Sequence, residues 1–103
     1  MRPETNRFGI DPGIWDDIQK ILSKYPITKA VLFGSRARGD YKSTSDIDIA
    51  IWWSDDQGRG LLAQELEDLP TIHKIDLVDF DSIENQAMKD NIVSDGLEII
   101  LSR

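Results

Sequence analysis

The apolar residues after position 11 recur at the spacing of a helix. The positions that share one helical face are Ile14, Ile18, Ile21, Leu22 and Tyr25. Asp11 followed by Pro12 is a typical helix start, because an aspartate side chain caps free amides and proline fits the first turn. Pro26 cannot continue a helix. The pattern therefore predicts a helix from Pro12 to about Lys24.

Four later stretches have the patterns of strands, at 29–33, 45–53, 73–80 and 97–101. The stretch 45–53 alternates strictly, and the residues on its apolar face are Ile47, Ile49, Ile51 and Trp53. Its other face carries Asp46, Asp48, Ala50 and Trp52. In the stretch 73–80, one face carries Lys74, Asp76, Val78 and Phe80. Two strands are thus expected to bring acidic side chains to a sheet.

Helical patterns lie between these strands. A short helical segment is expected over 35–39. The apolar positions of a second helix, which ends before Pro70, are Leu62, Leu66 and Leu69. Asp81 with Glu84 resembles a capping box for a third helix, and Gly96 is its expected C-cap. The apolar positions of that helix are Ile83, Ala87 and Ile92. Helices that alternate with strands predict an α/β sandwich.

The length and composition narrow the class of protein. A chain of 103 residues is expected to form one domain over 1–103, with residues 1–11 as a flexible polar N-terminus. The chain has no cysteine, no signal-peptide pattern and no apolar run of the roughly 18 residues that a membrane span needs. We therefore expect a soluble cytoplasmic protein with no membrane partner.

The charge bears on the partners. The chain has 19 acidic and 12 basic side chains, which gives a net charge of −7. A negative surface repels nucleic acid phosphates, so a long DNA or RNA partner is disfavoured.

Three aspartates are the candidate catalytic and metal-binding residues. Asp46 and Asp48 are two apart in an extended chain, so their carboxylates leave the same face about 6 to 7 Å apart. Asp76 is expected on a neighbouring strand. Carboxylates side by side repel one another unless a cation intervenes, and ligands that are all oxygen suit Mg²⁺ or Mn²⁺. Two ions held in this way could bind a triphosphate and activate an acceptor hydroxyl, with Asp76 as the base.

The turn after the first strand is the candidate nucleotide-binding site. Gly34 removes side-chain bulk where a backbone must approach phosphate, and the helix start that follows offers free amides. Ser35 adds a hydroxyl donor, and Arg36 and Arg38 add positive charge. Which of the two arginines contacts phosphate stays open, because a charged helical turn in water is the alternative for both.

Other polar residues have simpler interpretations. Paired acids on an exposed strand are usually just solvated. Asp46 and Asp48 therefore indicate a catalytic site only in combination with the Gly34 turn and Asp76. Asp79 lies on the opposite face from Asp76 and is expected to be solvated, a cap or a surface pair. His73, the single histidine, begins its strand away from the carboxylates and is expected at the surface or an edge.

The combination resembles a known signature. Gly34-Ser35, ten intervening residues and Asp46-Ile47-Asp48 resemble the signature of the DNA polymerase β-like nucleotidyltransferases. Asp76 lies where that family places its third acid. The stretches 33–40 and 45–50 resemble more closely the minimal nucleotidyltransferases, or MNT proteins, which include the MntA-type antitoxins of HEPN/MNT toxin-antitoxin systems. The order of elements resembles them from about Trp15 to Leu101.

This resemblance implies a fold, an activity and a partner. The fold would be a small mixed β-sheet flanked by helices. The activity would be transfer of AMP from ATP, with Mg²⁺, to a tyrosine of a HEPN-domain ribonuclease toxin. Asp46 and Asp48 would hold the metals, Asp76 would activate the tyrosine hydroxyl, and Gly34 with Ser35 would seat the triphosphate.

Two alternatives stay open. The chain could be a binding module that neutralises a toxin by covering it, without catalysis. It could also be a nucleotidyltransferase that acts on a small molecule, such as an aminoglycoside, or on an RNA end. The choice among triphosphates and the formation of a homo-oligomer are also left open by the sequence.

Overall fold

The computed structural model describes residues 8–55 and 57–101. Its helices, in chain order, are α1 (Pro12–Ser23), α2 (Ser35–Arg38), α3 (Arg59–Glu67) and α4 (Gln86–Asp95). Its strands are β1 (Ile27–Phe33), β2 (Ile47–Trp53), β3 (Ile75–Asp79) and β4 (Leu97–Glu98). A single 3-10 turn over Phe80–Ser82 follows β3.

The strands form one mixed sheet in the order β3-β2-β1-β4. β1 pairs antiparallel with both β2 and β4. β2 pairs parallel with β3, and α3 lies in the connection between them, as a parallel pair requires a long crossover. The expectation of a small mixed sheet flanked by helices is confirmed.

One face of the sheet packs on α1 and α3. The buried side chains that the two helices contribute to this core are Ile14, Ile18, Leu22, Leu62 and Leu66. The sheet contributes Ile27, Ala30, Leu32, Ile47, Ile49 and Ile51. The predicted alternation of 45–53 and the predicted helix from Pro12 are therefore confirmed. The N-cap of α1 is also as expected, since the Asp11 side chain accepts a hydrogen bond from the Ile14 amide at 3.3 Å.

The other face of the sheet is only partly covered. Its buried residues are Val31, Ala50 and Ile92, the last from α4. Around them pack Phe33, Trp52, Val78, Phe80, Ile83 and Met88. Asp48 and Asp76 belong to this second face, because they alternate along their strands with the core residues Ile49 and Leu77.

Several strand boundaries differ from the expectations. β1 begins two residues earlier, at Ile27, because this residue pairs with Trp53 across a local irregularity. β2 begins at Ile47 instead of residue 45, since residues 42–45 form a closed turn. β3 covers only Ile75–Asp79. β4 has two residues instead of five, and one more hydrogen bond to β1 follows it, from the Ile99 amide to the Ala30 carbonyl at 2.8 Å.

Helix α4 begins at a different cap from the expected one. Asp81 lies in the 3-10 turn, and Asn85 caps α4 by accepting a hydrogen bond from the Met88 amide at 3.0 Å. Gly96 is the C-cap as predicted, although its φ of −68° is not left-handed. Its lack of a side chain serves packing instead, since a Cβ would lie 2.3 Å from Cγ1 of Val31 on β1.

The segment just before α1 is packed, which corrects part of one expectation. The prediction of a flexible N-terminus over 1–11 concerns residues 1–7 as well, and these lie outside the described part of the chain. Ile10, however, is fully buried in the core, and Phe8 packs on Trp15 with ring centroids 5.1 Å apart. In residues 8–55 and 57–101, no helix is long and apolar enough to cross a membrane.

Candidate active site

The predicted site residues meet at one end of the sheet. β1 ends at Phe33, directly before Gly34, while β2 and β3 begin nearby and run in the opposite direction. The register pairs Phe33 with Asp48, and Asp48 with Asp76. Neighbouring strands are about 4.8 Å apart, so the Asp48 and Asp76 side chains are adjacent on the same face.

Gly34 is shaped by its contact with Asp48. Its φ of 79° and ψ of −157° belong to a region that is nearly reserved for glycine. A Cβ at this position would lie 2.6 Å from Oδ2 of Asp48. The glycine thus permits both the turn from β1 into α2 and the close approach of the carboxylate to the backbone.

Asp48 is the most perturbed acid of the site. Burial raises the pKa of its half-buried carboxyl, and the charges of Asp76 and Asp46 raise the pKa further. Arg36 and Arg38 act in the opposite direction. The acids therefore repel one another across the site, and a cation between them would relieve that repulsion.

The other two acids are more open to solvent. Asp46 is exposed and directly precedes β2. The Oδ1 of Asp76 lies 3.4 Å from Nζ of Lys74, and the side chain of Asp76 is 38% exposed. Lys74 supplies the positive charge next to Asp76 in this structure.

The three carboxylates fit a hard divalent cation by chemistry, since all their donors are oxygen. Among the residues that the structure describes, no three acidic, histidine or cysteine side chains already stand in a ligand arrangement. Asp46, Asp48 and Asp76 would have to close on an ion, and Lys74 would have to give way to it.

A cleft of about 340 Å³ opens beside the turn. Phe33, Gly34 and Arg38 line one side, and residues of α4, including Met88 and Asn91, line the other. Arg38 is exposed, and its Nε lies 3.4 Å from Oδ2 of Asp40. Ser35 begins α2 next to this cleft, where the first amides of a helix lack partners within the helix. Gly34, Ser35 and Arg38 therefore remain the candidates for nucleotide binding.

Arg36 does not face this cleft, which corrects the expectation that it binds the nucleotide. Its side chain is 1% exposed, and its guanidinium donates to backbone carbonyls and to His73. Residues two apart on a helix point about 200° away from each other, so only one of Arg36 and Arg38 can face the cleft. The sequence shows that the two arginines are two residues apart, but it does not show which of them points into the protein.

His73 and Asp79 also have structural roles. His73 is half-buried against Arg36, and burial followed by the Arg36 charge lowers the pKa of its imidazole. Asp79 accepts hydrogen bonds from Nε1 of Trp53 at 2.7 Å and from Nε of Arg59 at 2.9 and 3.0 Å. Asp79 therefore forms an ion pair, which was one of its three expected roles, although its side chain is only 25% exposed. A cavity of about 480 Å³ near Asp79, at the far end of β2, holds none of the predicted site residues.

Comparison with known proteins gives a consistent result. The family model for polymerase beta nucleotidyltransferases matches residues 16–103. The protein named "Putative protein adenylyltransferase MJ0435", from Methanocaldococcus jannaschii, is 33% identical in an alignment of 85 residues that covers 78% of this chain and 87% of that protein.

Crystal structures of toxin-antitoxin complexes are also similar. A chain of a toxin-antitoxin crystallised with AMP-PNP superimposes with a TM-score of 0.68 and 29% identity, over 86% of this chain and 74% of that chain. A chain of the MntA-HepT toxin-antitoxin superimposes with a TM-score of 0.60 and 26% identity, over 86% of this chain and 71% of that chain.

Proposed function

The chain belongs to the polymerase beta nucleotidyltransferase family, and we propose that it transfers AMP from ATP to a tyrosine hydroxyl of a HEPN ribonuclease toxin. This modification would neutralise the toxin, which makes the chain an antitoxin that works in the cytoplasm. The observation that carries the proposal is the juxtaposition of Asp48 and Asp76 with the Gly34 turn.

The similar proteins support this choice of reaction. One relative has the name of a protein adenylyltransferase, and the similar crystal structures are toxin-antitoxin complexes, one of them with an ATP analogue. The names of these relatives do not point to a reaction on a small molecule or an RNA end. The net charge of −7 also opposes an RNA acceptor.

The residues of the chain divide the chemistry among them. Asp46, Asp48 and Asp76 would hold Mg²⁺ or Mn²⁺, in one or two sites, and the bound cation would neutralise the triphosphate and favour the ionised acceptor. Asp76 takes the proton from the tyrosine hydroxyl. The tyrosine oxygen then forms a bond to the α-phosphorus, while the bond from that phosphorus to the bridging oxygen breaks. Pyrophosphate leaves with the bonding electron pair.

The Gly34 turn has the complementary role of seating the triphosphate. The turn brings backbone amides next to Asp48, and Ser35 and Arg38 add a hydroxyl and a charge beside the cleft. Phosphate oxygens accept such donors well. The nucleotide would thus lie between the cleft and the carboxylates, with its α-phosphorus next to Asp76.

The test is intact-mass spectrometry of the protein encoded by the neighbouring gene, the proposed toxin, after incubation with the chain, ATP and Mg²⁺. The toxin should gain whole AMP units, and the Asp46→Ala/Asp48→Ala variant should add none. Asp16→Asn is the matched control, because this acid is 57% exposed on α1 and only pairs with Lys20. Unchanged toxin mass with the wild-type chain would contradict the proposal.

A neutralisation assay with the same toxin separates the non-catalytic alternative. In this alternative, Asp76 would keep its ion pair with Nζ of Lys74 at 3.4 Å instead of binding a cation. A triple alanine variant of Asp46, Asp48 and Asp76 would still neutralise the toxin if binding alone were sufficient. Loss of neutralisation by a triple variant that still forms the complex would leave catalysis as the function.

A further inference from the structure

The guanidinium of Arg36 joins three separate segments of the chain. Its Nε and Nη2 donate to the Ser45 carbonyl at 3.1 and 2.8 Å. Its Nη1 donates to the carbonyls of Phe8 and Gly9 at 2.9 and 3.1 Å. Its Nη2 also donates to Nδ1 of His73 at 3.3 Å. The fixed fork of an arginine satisfies all these acceptors at once, which the single ammonium of a lysine cannot do.

Two of these segments lead directly into the acids of the site. Ser45 immediately precedes Asp46, and His73 lies three residues before Asp76. Residues 42–45 form a turn that is closed by two hydrogen bonds, from the Lys42 amide to Oγ of Ser45 at 2.8 Å and from the Ser45 amide to the Lys42 carbonyl at 3.0 Å. Arg36 binds the end of this turn, so it holds the backbone from which Asp46 projects.

The third segment closes the cluster from the N-terminal side. A Cβ at Gly9 would lie 2.3 Å from Cε1 of Tyr41 and 2.8 Å from Nη1 of Arg36. The guanidinium also lies over the Tyr41 ring, with Cζ 5.0 Å from the ring centroid. A buried cation held by five hydrogen bonds has little freedom to move, and its charge acts on the nearby carboxylates.

We infer that Arg36 is a positioning residue, which holds the segments before Asp46 and Asp76 at the spacing from which the carboxylates can close on a divalent cation. Its guanidinium is bound to backbone carbonyls and to His73, and Arg36 does not line the cleft. The inference rests on the proposed metal-dependent transfer. It assigns to the first arginine of the motif a different role from that of Arg38, which lines the cleft.

The experiment measures metal binding directly. The dissociation constant for Mn²⁺ would be determined by electron paramagnetic resonance for the wild-type chain and for Arg36→Lys, without nucleotide or toxin. Loss of a residue that orients metal ligands weakens metal binding by about 10- to 100-fold. We expect a rise of that size for Arg36→Lys, together with faster amide hydrogen exchange in residues 40–46.

The matched control is Leu22→Ala. Leu22 is fully buried near the end of α1 and takes no part in the hydrogen bonds of Arg36, so its truncation lowers stability through lost packing alone. A purely structural role for Arg36 predicts that both variants bind Mn²⁺ equally well at a temperature where both are folded. Equal affinity in Arg36→Lys and Leu22→Ala would overturn the inference.

A second pair of variants decides the matter if Arg36→Lys does not fold. His73→Leu removes one acceptor of the guanidinium, whereas His73→Asn keeps an acceptor near the position of Nδ1. Mn²⁺ binding should weaken in the leucine variant and stay near wild type in the asparagine variant, and equal binding in the two would overturn the inference. Absence of AMP transfer by a wild-type chain that binds Mn²⁺ would reject the proposed function alone.

Discussion

Replacement of Gly34 by alanine separates the turn's two roles, in the fold and in the site. The backbone conformation at Gly34, with φ 79° and ψ −157°, costs a residue with a side chain about 1–3 kcal/mol. The new methyl group would lie 2.6 Å from Oδ2 of Asp48. To restore an ordinary contact of roughly 3.5 Å, the carboxylate has to move by about 1 Å. A displacement of that size in a catalytic group costs about 10²-fold in rate.

Two assays follow from these magnitudes. Urea unfolding should show Gly34→Ala destabilised by about 1–3 kcal/mol, and the initial rate of AMP transfer at a permissive temperature should fall about 10²-fold. Gly39→Ala is the control for backbone strain alone. Gly39 has a φ of 92°, and a Cβ there meets no heavy atom within 4 Å among the described residues. This control should lose about 1–2 kcal/mol and keep its activity. Wild-type transfer by Gly34→Ala would refute the reasoning.

Two further predictions concern pH. The raised pKa of Asp48 means that the folded chain binds this proton more tightly than the unfolded chain does. Asp48 therefore makes its full contribution to the free energy of unfolding below its ordinary pKa of 3.8, and this contribution is lost as pH rises through the raised pKa. Chemical denaturation across pH should show that Asp48→Asn removes this fall, while transfer is lost. The lowered pKa of His73 has the opposite sign: its contribution is full above pH 6.5 and is lost as pH falls through the folded pKa. The free energy of unfolding of His73→Asn should therefore not change with pH over that range. If this variant kept the pH profile of the wild-type chain, the assignment of the effect to His73 would be contradicted.

Much of the fold followed from periodicity. The spacing of Ile14, Ile18 and Leu22 predicted α1, and the alternation from Ile47 to Trp53 predicted both the strand and its buried face. Such patterns are reliable because a long element with one apolar face can bury it in only one orientation. The short elements were predicted less well. The true cap of α4 is Asn85 and not Asp81, since a few polar residues in a row offer several equivalent helix starts.

The site also has features that the sequence predicted and features that depend on the tertiary structure. The types and spacing of Gly34, Asp46, Asp48 and Asp76 were evident in the chain, because chemistry selects residue types. The expectation that Asp76 lies on a strand next to Asp48 is confirmed, but the register that pairs the two residues depends on the parallel pairing of β2 with β3, which no local pattern specifies.

Arg36 and Arg38 show the limit most clearly. Both are arginines on one short helix, and their chemistry in isolation is the same. Arg36 is buried and donates hydrogen bonds to the carbonyls of Phe8, Gly9 and Ser45, which are distant in the sequence. Arg38 instead lines the cleft beside α4 and is exposed to solvent. The sequence by itself determined which chemical groups the chain has and which faces of its long elements are apolar. Only the tertiary structure decided which charged groups lie inside, because burial of a charge depends on partners that come from elsewhere in the chain.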